Sequence, residues 1–446
     1  MLKNLLADIF YRTFRKRHES PASSSPSHLQ MKYQRGGVIV GILPPSEGDA
    51  LKEHTLEILK PLEKLAKGIV FIDISKDDWL SNLQKACESP IWFAISPFGV
   101  GELLPTSEGS AIAPWASADI PFLRLFGDSP AYFPSKHVQD YKNSINVYGH
   151  KEHHAYFKKW FPNAGISANM PLFPFDRIEK QRVDFHLKSK ENLIIFPKNG
   201  NCPERLKDFW RRSLPPATGS LLLDISRDLE ARLDDAADTF VEIEKYFTNL
   251  DIEVQRDQRL FFFLSAQLDD YLRRVKSTLI AKTLLDFPVT IRGVNWDHVS
   301  FSGKQATYDP RSDYAGTRQL IDRALAVVDM SPNTSTGAHD RTLRASGRYT
   351  AFLTNQQSFF VDNFTDHSIF TFSFSKDSIA ERIDFALKNQ EIIIQIGIDQ
   401  AEKMRELLTI ERYTEQMLTT LDACALAMGN RPEGTQVFVD YAHLNI

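Results

Sequence analysis

Short apolar runs that alternate with helical stretches, first over residues 36–185 and again after 190, constrain this chain more than any other feature of it. Residues 38–43 form the first run. A polar turn at 44–49 follows, and 51–67 then carries apolar residues at three- and four-residue spacing, the mark of an amphipathic helix. Residues 69–74 repeat the strand pattern, 79–87 the helix, and 91–95, 121–126 and 145–148 the strand again. Strands this short and this uniformly apolar are buried on both faces. That is the condition of a parallel sheet, whose crossover connections place helices over each side. Residues 36–190 therefore read as one α/β domain.

The pattern starts again at 193–196 and breaks at Pro197, Lys198, Asn199, Gly200 and Asn201. Residues 221–285 read as long helices. One stripe joins Leu229, Leu233, Ala236, Phe240, Ile243 and Phe247, and a second joins Leu264, Leu268, Tyr271, Leu272, Val275 and Leu279. After Pro288 the alternation resumes at 289–291, 324–329 and 350–353. Two halves of comparable size, each patterned like a nucleotide-binding sheet, put a ligand in the cleft between them. The expected architecture is α/β, with two Rossmann-like domains facing a cleft. The second spans 191–420 with a helical insertion at 221–285, and 421–446 form a helix end and tail.

Composition narrows the function. With 42% hydrophobic and 25% charged residues the chain is too apolar for disorder, and its net charge of −4 gives no whole-chain reason to bind polyanions. No nucleic-acid partner is expected. Cys87, Cys202 and Cys424 are scattered and odd in number, which fits a reducing, cytoplasmic setting better than a disulfide or zinc framework. No apolar run approaches the roughly 20 residues that cross a bilayer. Residues 1–36, however, hold seven Lys or Arg against two acids, and 1–18 put Leu2, Leu5, Leu6, Ile9 and Phe10 on one helical stripe. A segment of that kind lies on an anionic membrane surface at the inner face of the cell, or packs on a protein surface. Residues 19–28, rich in Ser and Pro, read as a linker, so 1–35 form a basic amphipathic helix and its tether.

The chemistry concentrates in the loop after 324–329, where Asn333, Thr334, Ser335, Thr336, Gly337, Ala338, His339, Asp340 and Arg341 follow one another. A small polar loop leaving a parallel strand exposes backbone N–H groups, and the helix it opens adds a positive dipole end, so the loop is a candidate anion cradle. His339 and Arg341 would add charge-assisted donors. An ordinary capped surface loop accounts for the same residues. Asp128, in a Gly-Asp-Ser-Pro turn after 121–126, is a candidate base or a turn former, and Lys198 with Gly200 stands at the mouth of the cleft. Trp296 and Tyr308 are aromatic residues that flank a base or fill a core. Asp234-Asp235 and Asp269-Asp270 fall in helices, so no metal and no other cofactor is expected.

The run 289–293 through Trp296, Tyr308, the helix around 318–325, the loop 333–337, His339-Asp340-Arg341 and 351–354 resembles the carboxyl-terminal half of GT-B-type glycosyltransferases, nearest to the spore-maturation-protein-like group. The segment 120–130 is similar to the strand and Gly-Asp-x-Pro-like turn of related enzymes, and 409–418 with Arg412 resembles a terminal segment that packs back on the donor domain. The resemblance does not reach 1–35 or 221–285. It implies transfer of a sugar from a nucleotide-activated donor to a cell-envelope glycan, lipid-linked or protein acceptor. By the same resemblance Asp128 and His339 are catalytic, while Arg341, Arg292, Asn333, Thr336, Gly337, Tyr308, Lys198 and Gly200 bind the donor nucleotide and its diphosphate. One departure stands out: Arg344 occupies the place where the group carries an acid. A non-catalytic binding or scaffold subunit and a sugar-nucleotide epimerase of the same shape remain as alternatives. A dehydrogenase does not, because no Gly-x-Gly-x-x-Gly follows 38–43.

Overall fold

The computed structural model of the chain describes residues 31–43, 50–105, 111–137, 141–161, 165–171, 178–234, 239–249, 258–430 and 437–439. The basic segment 1–18 and the stretch 19–28 lie outside them. In the first lobe run β1 (Tyr33–Leu43), β2 (Gly68–Asp73), β3 (Ile91–Pro97), the short antiparallel pair β4 (Leu104–Pro105) and β5 (Ala111–Ile112), then β6 (Phe122–Phe126), β7 (Ser144–Tyr148) and β8 (Ile166–Asn169). The second lobe holds β9 (Ile194–Pro197), β10 (Thr290–Arg292), β11 (Thr307–Asp309), β12 (Ala326–Val328), β13 (Ala351–Asn355) and β14 (Thr371–Phe372), and β15 (Val437–Val439) closes the chain.

The first sheet has the order β15-β8-β7-β6-β3-β1-β2 and the second β11-β10-β9-β12-β13-β14, with parallel pairing throughout both. Every residue of β3 and β6 is buried. Their apolar character on both faces follows from the helices that cover each side. On one face Ile39, Phe93 and Ile95 meet Ile58 and Leu59 of the helix Ala50–Leu59. On the other Val40, Ala94 and Phe122 meet Trp79 and Leu83 of the helix Trp79–Cys87. The second sheet has the doubly wound order with β9 at its centre, so the chain departs from β9 in both directions and leaves a crevice beyond its carboxyl end. The two Rossmann-like lobes expected from the alternation are present, with the cleft between them.

Among the described residues the crossover from β9 to β10 carries four helices, Pro203–Ser213, Pro216–Glu230, Thr239–Asn249 and Gln258–Leu284. Of the predicted stripe, Leu264, Leu268, Tyr271 and Leu272 are buried, and Val275 and Leu279 are half-buried at its far end. The other predicted stripe is shared by two helices, since Leu229 belongs to one and Phe240, Ile243 and Phe247 to the next. These residues form one core with Phe126, Tyr148, Phe157 and Phe161 of the first lobe, and Phe161 stacks on Phe262 at 5.0 Å. At its far end the long helix places Ile280, Ala281 and Leu284 in the core of the second lobe. The insertion therefore packs against both lobes.

One expectation is corrected. The segment 409–418 does not pack on the second lobe: it opens the helix Ile410–Asn430, which returns to the first. Tyr413, Met417, Leu421 and Cys424 recur at four- and three-residue spacing, and this stripe lies on Trp92, Leu123 and Ile145. Each such fully buried apolar side chain contributes about 1.5–3 kcal/mol, which fixes the choice of lobe. The chain then adds β15 beside β8, with Val437 opposite Ile166. No helix among the described residues is long and apolar enough to cross a membrane.

Candidate active site

Two adjoining cavities, of about 320 and 340 Å³, open where the carboxyl ends of both sheets face each other, and His54, Lys198, Asp340 and Leu343 line both. From the second lobe the site takes the residue after β9, the loop after β12 and the helix Asp340–Gly347. From the first it takes the ends of β3, β6, β7 and β8, which present Phe98, Asp128, His150 and Asn169.

A buried carboxylate organises the second-lobe side. Asp329, directly after β12, has no exposed surface. His339 Nδ1 lies 3.0 Å from it, and Arg341 Nη1 donates to its other oxygen. Burial alone would raise this carboxyl, but the charges of His339 and Arg341 outweigh it and bring it down to about 2. The second ring nitrogen of His339 lies 3.0 Å from Asp340. His339 thus braces two acids instead of presenting an open nitrogen. Arg341 lines the first cavity, and apart from Asp329 nothing among the described residues bonds its side chain. Lys198 is the more telling cation. Its Nζ has no hydrogen bond or ion pair among the described residues, although burial, then the charges of Arg341 and Arg273, lower its pKa to about 8.

Four of the residues expected to bind a donor are engaged elsewhere. Arg292 ends β10 and spends its guanidinium on Asp309, on Asp313 and, at 3.0 Å, on Thr317 Oγ1. It borders the first cavity as a structural tie. Asn333 is buried in the left-handed region at φ 57°, where Lys276 Nζ donates to it at 2.9 Å and it donates to Asp269 at 2.9 Å. Tyr308 stacks on Phe301 at 4.8 Å and packs on the second-lobe core, away from both cavities. At Gly200 an added Cβ would sit 2.2 Å from Trp296 Cδ2, so this glycine is there to admit the indole. Trp296 itself is buried, and its Nε1 donates to the Lys198 carbonyl at 2.8 Å, which fixes the turn that carries the lysine.

The loop amides do form an anion cradle, and a carboxylate of the other lobe occupies it. Ser335 N and Thr336 N donate to Glu152 Oε1 at 2.7 and 2.9 Å, and the Thr336 hydroxyl donates to Glu152 Oε2. Glu152 stands in the first turn of the helix Lys151–Trp160. Beside it His150 Nδ1 meets Thr334 Oγ1 at 3.2 Å, and a Cβ on Gly337 would approach the same nitrogen to 3.2 Å. Burial first, then the charges of His339 and Arg273, hold His150 down near 4 against the pull of Glu152, so the imidazole is neutral at pH 7. Asp128 lines the second cavity and accepts from Arg273 Nη1 at 2.9 Å.

Arg344 also crosses the cleft. It donates to Glu57 Oε1 at 3.1 Å and meets His54 Nδ1 at 2.7 Å, while its guanidinium lies 4.6 Å from the centre of the Tyr314 ring. Burial and the Arg344 charge lower His54 to about 4. Among the described residues no group of three or more His, Cys, Asp or Glu side chains could hold a metal ion.

Sequence reasoning passed over His150, Glu152, Arg273 and the pair His54–Glu57. Each owes its place to the other lobe or to the insertion, and only the position of His150 directly after an apolar strand was a local signal.

No family model and no curated protein matches the sequence. Solved structures with a similar arrangement include an alpha-glucosyltransferase in complex with UDP, at 8% identity and a TM-score of 0.48, covering 86% of this chain and 99% of that one. Anabaena Alr3699/HepE in complex with UDP-glucose aligns at 8% identity and 0.47 over the same shares of the two chains. Sucrose-phosphate synthase (tll1590) from Thermosynechococcus elongatus aligns at 9% and 0.47, covering 88% of this chain and 100% of that one. These are distant likenesses of overall arrangement, and nothing about the chemistry of this chain follows from them.

Proposed function

We propose that the chain is a glycosyltransferase that takes a sugar from a nucleotide-activated donor held by the second lobe and delivers it to an acceptor held by the first. The observation that carries this reading is Lys198. It is a cation beyond the carboxyl end of the central strand of a doubly wound sheet, with no protein anion bonded to it and with Arg341 close by. A lysine in that state is balanced by an anion that comes with a ligand. In glycosyl transfer the bond between the anomeric carbon and the β-phosphate oxygen breaks and the electron pair stays on that oxygen. Fixed cations at that point lower the barrier most. Lys198 and Arg341 are those cations, and Asp329 with His339 holds Arg341 in place.

Asp128 and His150 face the second cavity from strand ends of the first lobe, which suits them to the acceptor hydroxyl. The acid that the resemblance expects at position 344 is supplied by Glu57, which lines the first cavity and is held there by Arg344 and Tyr314. Transfer proceeds without a metal, the cations replacing it. The basic, amphipathic character of 1–18 supports an acceptor at a membrane face, such as a lipid-linked or cell-envelope glycan. The test is release of nucleoside diphosphate from a panel of sugar nucleotides. Release from at least one, lost in R341A, is the expected result. Silence across the panel together with no saturable binding of any nucleotide rejects the reading.

A further inference from the structure

The sequence resemblance does not reach the inserted helices at 221–285, and among the described residues they deliver one charged group to the cleft. Arg273 lies on Gln258–Leu284 and lines the cavity shared by Lys198, Thr336 and His339. Its Nη1 donates to Asp128 Oδ1 at 2.9 Å, its Nε lies 2.9 Å from Asp269 Oδ2, and its guanidinium stands 5.5 Å from the centre of the Tyr132 ring. Asp269, fully buried, accepts from Tyr132 at 2.6 Å and from Asn333 at 2.9 Å. A first-lobe turn, the inserted helix and the second-lobe loop are thus tied together through Arg273 and Asp269.

The tie is incomplete. Arg273 Nη2 is buried and has no hydrogen-bond partner among the described residues, although a guanidinium carries five donors that the interior leaves unmet only at a cost. The charge of Arg273 also acts on Lys198 and on His150, which sets it among the groups at the centre of the cleft. A donor left unpaired in the cavity that Lys198 also lines points to a partner that arrives with the substrate.

We propose that the inserted helix completes the donor site, with Arg273 as a third cation on the β-phosphate beside Lys198 and Arg341. This rests on the glycosyl-transfer reading, since it takes the arriving anion to be the diphosphate of the donor. No proton moves through Arg273. Its fixed charge stabilises the oxygen that keeps the electron pair when the sugar departs, and the fork geometry of arginine suits two phosphate oxygens at once.

Calorimetric titration of UDP, GDP, UMP and GMP into the wild-type chain, R273Q and R273K tests it. The wild type should bind a diphosphate more tightly than its monophosphate. R273Q should weaken the diphosphate by about 10- to 100-fold and the monophosphate by less than about threefold, with R273K recovering part of the loss. A merely structural role would weaken both nucleotides equally or neither, and either result overturns the proposal while leaving the transferase reading intact. If R273Q does not fold, R273K decides alone, because an ammonium point charge cannot reproduce the fork: an unchanged diphosphate-to-monophosphate ratio overturns the proposal. A wild type that binds none of the four overturns the proposal, whereas the transferase reading falls only with silence across the whole sugar-nucleotide panel.

Discussion

Arg124 and Lys198 are both cations tucked against a parallel sheet, and they have opposite surroundings. Arg124 lies within β6 at 2% exposure and donates to Glu102 at 2.9 and 2.6 Å, to the Lys136 carbonyl at 3.0 Å and to Ser144 at 3.3 Å. Lys198 stands one residue past β9 and bonds to none of the described residues through its ammonium. A place near the carboxyl edge of a sheet does not by itself make a binding group. The interior satisfies a cation it uses for structure, whereas half-buried Lys198 has an ammonium left over, which on the reading proposed above awaits a ligand.

The largest effect expected from this contrast is on stability. R124M strands Glu102 in the first-lobe core and should cost about 3–5 kcal/mol in urea denaturation, while the folded fraction keeps its nucleotide affinity. A loss below about 1 kcal/mol would erase the distinction. K198M should do the reverse, reducing turnover by about 10²- to 10³-fold with a melting temperature at or above that of the wild type. Equal activity, or a melting temperature as low as that of R124M, would return Lys198 to the structural class.

Acid sharpens the comparison next. His54 and His150 are each held near pKa 4 in the folded cleft, against about 6.5 in an unfolded chain. Between pH 6.5 and about 4 the unfolded state therefore binds protons that the folded state refuses, and stability falls with acidification across that window. The interior His137 acts in the same direction. Urea midpoints measured over this range should show the slope, and H54N should remove part of it; an identical slope in H54N would mean that the imidazole is not neutral in the fold. The smallest effect is none at all. On the proposed reading, in which Lys198 and Arg341 supply the positive charge, EDTA should leave turnover unchanged, and a loss reversed by added metal would contradict that.

The alternation of apolar runs and helices made both lobes legible, since a buried parallel strand is a contiguous apolar stretch that needs no tertiary context to be seen. The strands β8, β11, β14 and β15 were not, being only two to four residues long. Lys198 and Asp128 were legible as candidates because each follows a strand end, and Arg341 because it opens the helix after the polar loop. The fates of Arg292 and Asn333 were not, because their partners Asp309 and Lys276 come from separate elements. Glu152 and Arg273 were the least visible. Their bonds span 183 and 145 residues, from Glu152 to Ser335 and from Arg273 to Asp128, and a glutamate or arginine on a helix looks the same to a sequence whether it faces water or a cleft.

The return of Ile410–Asn430 and β15 to the first sheet bears on how the molecule comes into being. The lobe whose strands are made first is completed by residues made after its neighbour's β9 to β14, which are contiguous in synthesis. On the ribosome the carboxyl-terminal lobe can finish first, and the amino-terminal one waits for its last helix and edge strand. A fragment cut after residue 190 is therefore not the first lobe but that lobe with one face uncovered.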